Sequence, residues 1–105
     1  TRGNYTEALE ILERISRPSE NSRVIFFKGI CYLVVDDLEK AIREFDMIIE
    51  KKDPAYYDDA LYFKAIALLR CDEKEKALEQ LNLLASLSTP YSPKARALIS
   101  KVPRH

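Results

Sequence analysis

Residues 25–45 read IFFKGICYLVVDDLEKAIREF, and residues 61–81 read LYFKAIALLRCDEKEKALEQL. Ile25, Gly29 and Tyr32 of the first stretch correspond to Leu61, Ala65 and Leu68 of the second, 36 residues on. Gly29 stands 12 residues before Ala41, as Ala65 does before Ala77. The junctions agree as well: Asp36-Asp37-Leu38-Glu39-Lys40-Ala41 against Asp72-Glu73-Lys74-Glu75-Lys76-Ala77. Working outward, Ala41, Phe45 and Ile48 have the spacing of Ala77, Leu81 and Leu84, and also of Ala8, Leu12 and Ile15. The alanines recur after 33 and then 36 residues, and Pro18, Pro54 and Pro90 stand 36 apart. A period of this length marks stacked supersecondary units.

Each unit reads as two antiparallel helices joined by a short polar turn. Gly29, Ala65, Ala41 and Ala77 let helix backbones approach, while Tyr32, Phe45 and Leu81 fill the space beside them. Asp36 or Asp37 is expected to cap the second helix of the middle unit, Asp72 that of the last, and Asn4 that of the first. Gly3-Asn4-Tyr5 marks the turn into that first helix, so the first unit is a half unit and at least one further helix is expected upstream. At the other end, Ser92-Pro93 reads as cap and first-turn proline of a closing helix. Its apolar stripe is Ala95, Leu98, Ile99 and Val102.

Gly29, Tyr32, Asp37, Ala41, Phe45 and Pro54, in that order, resemble the tetratricopeptide repeat pattern of small residue, aromatic, polar turn, alanine, large apolar residue and proline. The proline comes one residue late, Ile25 and Leu61 stand where the family often has tryptophan, and Leu68 replaces tyrosine. The resemblance spans almost the whole chain. It implies an all-α, right-handed helical-hairpin solenoid of about six helices in one domain over 1–105. The parts are a half repeat at 1–18, full repeats at 21–54 and 56–90, and a capping helix at 92–102. It also implies a scaffold that binds a peptide or helix of a partner protein. The alternative is a structural or oligomerisation segment of a larger bacterial protein. The Thr89-Pro90-Tyr91 turn and closing helix look like the C-terminal end of repeat domains in single-span bacterial envelope proteins. That likeness points to the periplasmic side of the inner membrane, with the cytoplasm as alternative.

Composition agrees with a helical, protein-binding chain and disfavours other classes. Apolar residues make up 47% and charged residues 32%, which argues against disorder. Lys plus Arg is 17 and Asp plus Glu is 17, so no net field gathers nucleic acid or an anionic membrane. The longest apolar stretch, Ile30 to Val35, is too short to span a bilayer, and membrane attachment is expected only through a segment outside this chain. Cys31 and Cys71 have no metal-ligand spacing, and the single histidine is His105. Both thiols fall in apolar helical runs, where cysteine behaves as a small buried hydrophobe. Asp36/Asp37 and Asp58/Asp59 lie at helix starts, where carboxylates suit the helix dipole. Ser86, Ser88 and Ser92 have no internal histidine to activate them, and no glycine-rich phosphate loop is present. No catalytic residue, metal or cofactor is expected.

The candidate partner surface follows from helix periodicity. Ala41, Ile42, Phe45, Ile48 and Ile49 form one stripe opposite Glu39, Arg43, Asp46 and Glu50. The first helix of each full unit instead carries two stripes. Beside Ile25, Gly29 and Tyr32 runs Phe26, Ile30 and Leu33; beside Leu61, Ala65 and Leu68 runs Tyr62, Ile66 and Leu69. Phe27, Val34 and Phe63 extend this second stripe, which is expected to line an apolar concave groove for a protein or peptide, with Arg70 counted among the groove residues. Phe26 and Tyr62 are expected to be replaceable by serine without loss of the fold. The competing readings are that neighbouring helices bury the stripe, or that it drives self-association. A clamp for a chaperone's C-terminal carboxylate is disfavoured, because only Arg23, Lys28, Lys64 and Arg70 are basic nearby and asparagines are missing.

Overall fold

The computed structural model describes residues 2–15 and 21–102. Among them are six helices and no strand: α1 (Arg2–Ile15), α2 (Ser22–Val34), α3 (Leu38–Lys51), α4 (Tyr57–Arg70), α5 (Lys74–Ser86) and α6 (Ser92–Lys101). Pro18, Pro103, His105 and the end of the expected half unit lie outside the described residues. The links alternate in length, with 35–37 and 71–73 short and 52–56 and 87–91 longer. Each helix packs chiefly on its neighbours in sequence, and α2 also meets α4.

The short links are built alike. After α2, the Asp37 N–H reaches the Tyr32 carbonyl at 2.9 Å and the Asp36 N–H that of Leu33 at 3.2 Å. After α4, the Glu73 N–H reaches Leu68 at 2.8 Å and the Asp72 N–H reaches Leu69 at 3.3 Å. This is the paired bonding of a Schellman C-cap, which requires a left-handed residue. Asp36 has φ 65° and Asp72 φ 64°. The aspartates expected to cap the following helices therefore close the preceding ones. Aspartate tolerates the left-handed region better than most side chains, which suits it to a position usually given to glycine. Asp37 and Glu73 occupy the N-cap positions, but their side chains make no capping hydrogen bond. Lys52, φ 55°, ends α3 with its N–H shared between the Ile48 and Ile49 carbonyls.

Two further boundaries depart from expectation. α1 runs through Gly3, Asn4 and Tyr5 rather than starting after them. First-turn N–H groups lack helical partners in any case, so weak helix formers cost little there. Ser92 is the first residue of α6, and Tyr91 takes the N-cap position. The buried Ser92 hydroxyl accepts from the Thr89 N–H (3.0 Å) and turns toward the carbonyls of Leu84 (2.9 Å) and Leu87, joining α6 to the end of α5.

The core follows the repeated register. Ile25 and Leu61, Gly29 and Ala65, Tyr32 and Leu68, Ala41 and Ala77, Phe45 and Leu81, and Ile48 and Leu84 are all buried. Gly29 has a steric role: a Cβ built on it would lie 2.6 Å from Phe45 Cε1. One apolar cluster centres on Ile25, Phe45, Ile48 and Ala60, a second on Leu61, Leu81, Leu84 and Ala95, and Ile49 packs against both. Among the described side chains of α1, Leu9 is buried while Ala8 and Leu12 are half-buried. None of the described helices is long and apolar enough to cross a membrane.

Candidate partner-binding surface

The structure divides the expected groove residues. Phe26 is wedged among rings, its centroid 5.3 Å from Tyr56, 5.8 Å from Phe63 and 5.9 Å from Phe45. Tyr62, at the corresponding place on α4, lies 5.1 Å from Tyr91. Phe26–Tyr56 and Tyr62–Tyr91 are thus one joint used twice, between the first helix of a hairpin and the residue that leads into the helix after that hairpin. The Tyr91 hydroxyl donates to Asp59 at 2.9 Å. Burial, then this hydrogen bond, pushes its pKa up to about 12. Phe63 and Ile66 pack against the first core cluster and Tyr62 against the second. Leu69 is half-buried, whereas Leu33 is only 7% exposed and is a core residue rather than groove lining. These ring contacts argue against the expectation that serine at Phe26 and Tyr62 leaves the fold intact. Aromatic rings shared by three helices are part of what holds them together.

Arg70 has a structural task. Its guanidinium donates to the Leu33 carbonyl at 3.1 Å and lies 3.7 Å from the Asp36 carboxylate, so α4 neutralises the C-terminal end of α2. Lys28 pairs with Glu44 at 3.8 Å and Lys64 with Asp46 at 2.6 Å. Of the four cations considered for a carboxylate clamp, Arg23 lines an apolar groove.

That groove has a volume of about 660 Å³ and lies between α1 and α2. It is lined by Leu12, Asn21, Arg23, Val24, Phe26, Phe27, Ile30 and Tyr56. Three of the nine expected residues, Phe26, Phe27 and Ile30, are there; Leu33, Tyr62, Phe63, Ile66, Leu69 and Arg70 are not. Phe27 is 46% exposed, a large apolar side chain in contact with water. Leu12, Asn21, Val24 and Tyr56 were missed, and Arg23 was named only as a nearby cation, because the stripes were drawn within single helices, while the groove is made by two helices and two links. The one signal for Leu12 was its register with Phe45.

A polar cluster lies on another side of α2. The Tyr32 hydroxyl donates to Glu13 at 2.5 Å, and Lys40 sits 5.7 Å from the Tyr32 ring centroid. Burial, then the hydrogen bond to Glu13, pushes the Tyr32 phenol well above its usual range. Glu44 is nearly covered, and its Oε1 accepts no hydrogen bond. Desolvation raises its pKa against the opposing pull of Lys28. Cys31 is buried, with its thiol pushed up by burial, but Cys71 is exposed, correcting the expectation for that thiol. Cys71 falls at the C-cap of α4, where the chain turns out of the core. Among the described residues no three His, Cys, Asp or Glu side chains gather as a metal site. Compared with protein-family models, with curated proteins and with solved structures, the chain matches none.

Proposed function

We propose that the chain is a right-handed stack of helical hairpins of the tetratricopeptide type that binds a partner protein through the groove between α1 and α2. The units are a half repeat at 1–18, full repeats at 21–54 and 56–90 and a closing helix at 92–102. The repeated C-caps at Asp36 and Asp72, the repeated aromatic joint and the elongated body of 41 × 27 × 19 Å support the stacking. The observation that carries the binding role is the groove itself, apolar in its walls, with Phe27 open to solvent and Arg23 at its rim. Pockets of this size and character take side chains of a ligand at modest entropic cost.

Selection of a random peptide library on the immobilised chain, followed by calorimetry of the selected peptides, tests this. Selected peptides should bind the unaltered chain, and Phe27→Asp should weaken them at least about tenfold, or ~1.4 kcal/mol. The melting temperature should be unchanged. Failure to select any peptide, or peptides indifferent to Phe27→Asp, would refute the groove as the site.

A further inference from the structure

We propose that the polar cluster joining α1 to α2 and α3 is a pH-sensitive latch, which holds α1 in place while Glu44 carries a proton and slackens as Glu44 ionises. The latch goes beyond the partner-binding reading and stands without it.

Glu44 sits where a carboxylate is poorly served. Its side chain is 12% exposed, and its Oε1, covered from water, accepts no hydrogen bond. The Lys28 ammonium stands 3.8 Å from that oxygen, near enough to attract it but outside hydrogen-bond reach. Taking a carboxylate out of water disfavours its ionised form unless hydrogen bonds replace those of water. The groups that face Glu44 come from three helices. α1 brings the Glu13 carboxylate, and α2 brings Lys28 and the Tyr32 hydroxyl. Lys40 lies one turn earlier on α3 itself, shared between Asp37 at 3.8 Å and the Tyr32 ring at 5.7 Å. Lys64 of α4 pairs with Asp46, two residues from Glu44 and hence on another side of α3. Once Glu44 ionises, Lys28 is therefore set against two carboxylates, Glu13 and Glu44.

Glu13 is the member that ties this charge to α1. It accepts the Tyr32 hydroxyl at 2.5 Å, a side-chain bond from α1 to α2. Burial raises the Glu44 pKa, Lys28 opposes the rise, and the like charge of Glu13 adds to it. α1 has little apolar attachment to resist that repulsion. Among its described side chains Leu9 alone is buried, whereas α3 buries Ala41, Phe45 and Ile48. Lifting α1 takes Glu13 away from Glu44 and opens the carboxylate to water. The docked form thus binds the Glu44 proton more tightly than the lifted form, and by linkage the proton favours docking. Docking is at full strength below the ordinary carboxylate range and weakens as pH rises through the raised value. Because Leu12 of α1 lines the groove, the same step alters the width of the groove.

Native-state hydrogen exchange of the whole chain tests the latch, read by NMR as amide protection corrected for the pH dependence of intrinsic exchange. As pH rises above the ordinary carboxylate range, protection of α1 amides should fall about fivefold or more relative to that of α5 amides. The Glu44 carboxyl resonance should titrate in step with this fall, a check that needs no variant. Glu44→Gln keeps the shape and cannot ionise, so α1 protection should stay at the level of the unaltered chain at its acid end. Protection of α1 that is indifferent to pH, that rises with pH, or that falls equally in Glu44→Gln overturns the proposal. So does a fall shared equally by α1 and α5, which would make Glu44 a determinant of global stability rather than of α1 docking. The groove is tested separately, by the response of selected peptides to Phe27→Asp, so either reading can fail without the other.

Discussion

Gly29→Ala adds one methyl group where the structure has no space for it. The new Cβ would lie 2.6, 2.9 and 3.0 Å from three atoms of the Phe45 ring. Carbon atoms rest about 3.5–4.0 Å apart, so the ring must retreat by roughly 1 Å. Phe45 is fully buried and flanked by Phe26 at 5.9 Å and Phe63 at 6.4 Å, leaving it little freedom. Overpacking of this kind costs about 1–3 kcal/mol, and the tightness of the contact places it in the upper part of that range. Alanine's better helix propensity returns about 1 kcal/mol. A net loss of about 1–2 kcal/mol is expected, at about 4–8 °C in melting temperature per kcal/mol. Phe45→Leu alone should also destabilise, by leaving a cavity. The pair Gly29→Ala with Phe45→Leu recreates Ala65 with Leu81, so the double variant should be more stable than the sum of the single losses by about 1 kcal/mol or more. Urea unfolding of the four proteins, followed by circular dichroism, measures the cycle. A Gly29→Ala variant stabilised by about 1 kcal/mol, as propensity alone dictates, or strictly additive effects, would refute the close contact.

Other perturbations probe separate parts of the account. Phe26→Ser and Tyr62→Ser should each destabilise by about 2 kcal/mol or more, whereas Phe27→Ser should stay within about 0.5 kcal/mol, as read from urea midpoints. Asp72→Gly should stabilise by about 0.5–1 kcal/mol and Asp72→Val should destabilise, because the position is left-handed. A thiol reagent should modify Cys71 in the native chain and Cys31 only after unfolding, giving one and then two modified cysteines by mass spectrometry. Glu44 has a raised pKa in the folded chain, so the fold holds its proton more tightly than the unfolded chain does. The cost of ionising it is absent below the ordinary carboxylate range and grows as pH rises through the raised value. Relative to the unaltered chain, Glu44→Gln should therefore gain stability as pH rises above the ordinary carboxylate range, as unfolding midpoints will report. Lys28, Tyr32 and Glu13 are the charged or polar neighbours that tune this step.

The all-helical class and the core register were readable because burial repeats every 36 residues. The pairs Gly29/Ala65 and Phe45/Leu81 keep their places although both members change size. The C-caps were misread because aspartate serves both at helix starts and in left-handed turns, and only backbone angles distinguish the two. The second apolar stripe was visible, but its fate was not. Phe26 and Phe27 are adjacent in sequence, yet the first is locked among rings from α3, α4 and the preceding link while the second faces water. That difference depends on packing between hairpins, which periodicity within one helix does not encode. Tyr56 and Leu12 escaped attention for the same reason, as they reach the groove from a link and from a different helix.

The stacking of hairpins with one surface left uncovered is tested most directly by an aromatic-resolved NOE spectrum of the chain in solution. Cross-peaks should join the Phe63 ring to Phe26 and Phe45, and the Tyr62 ring to Tyr91, while the Phe27 ring shows solvent contact. A spectrum without the Phe26–Phe63 and Phe45–Phe63 contacts, or with Phe27 enclosed by another helix of the same chain, would contradict it.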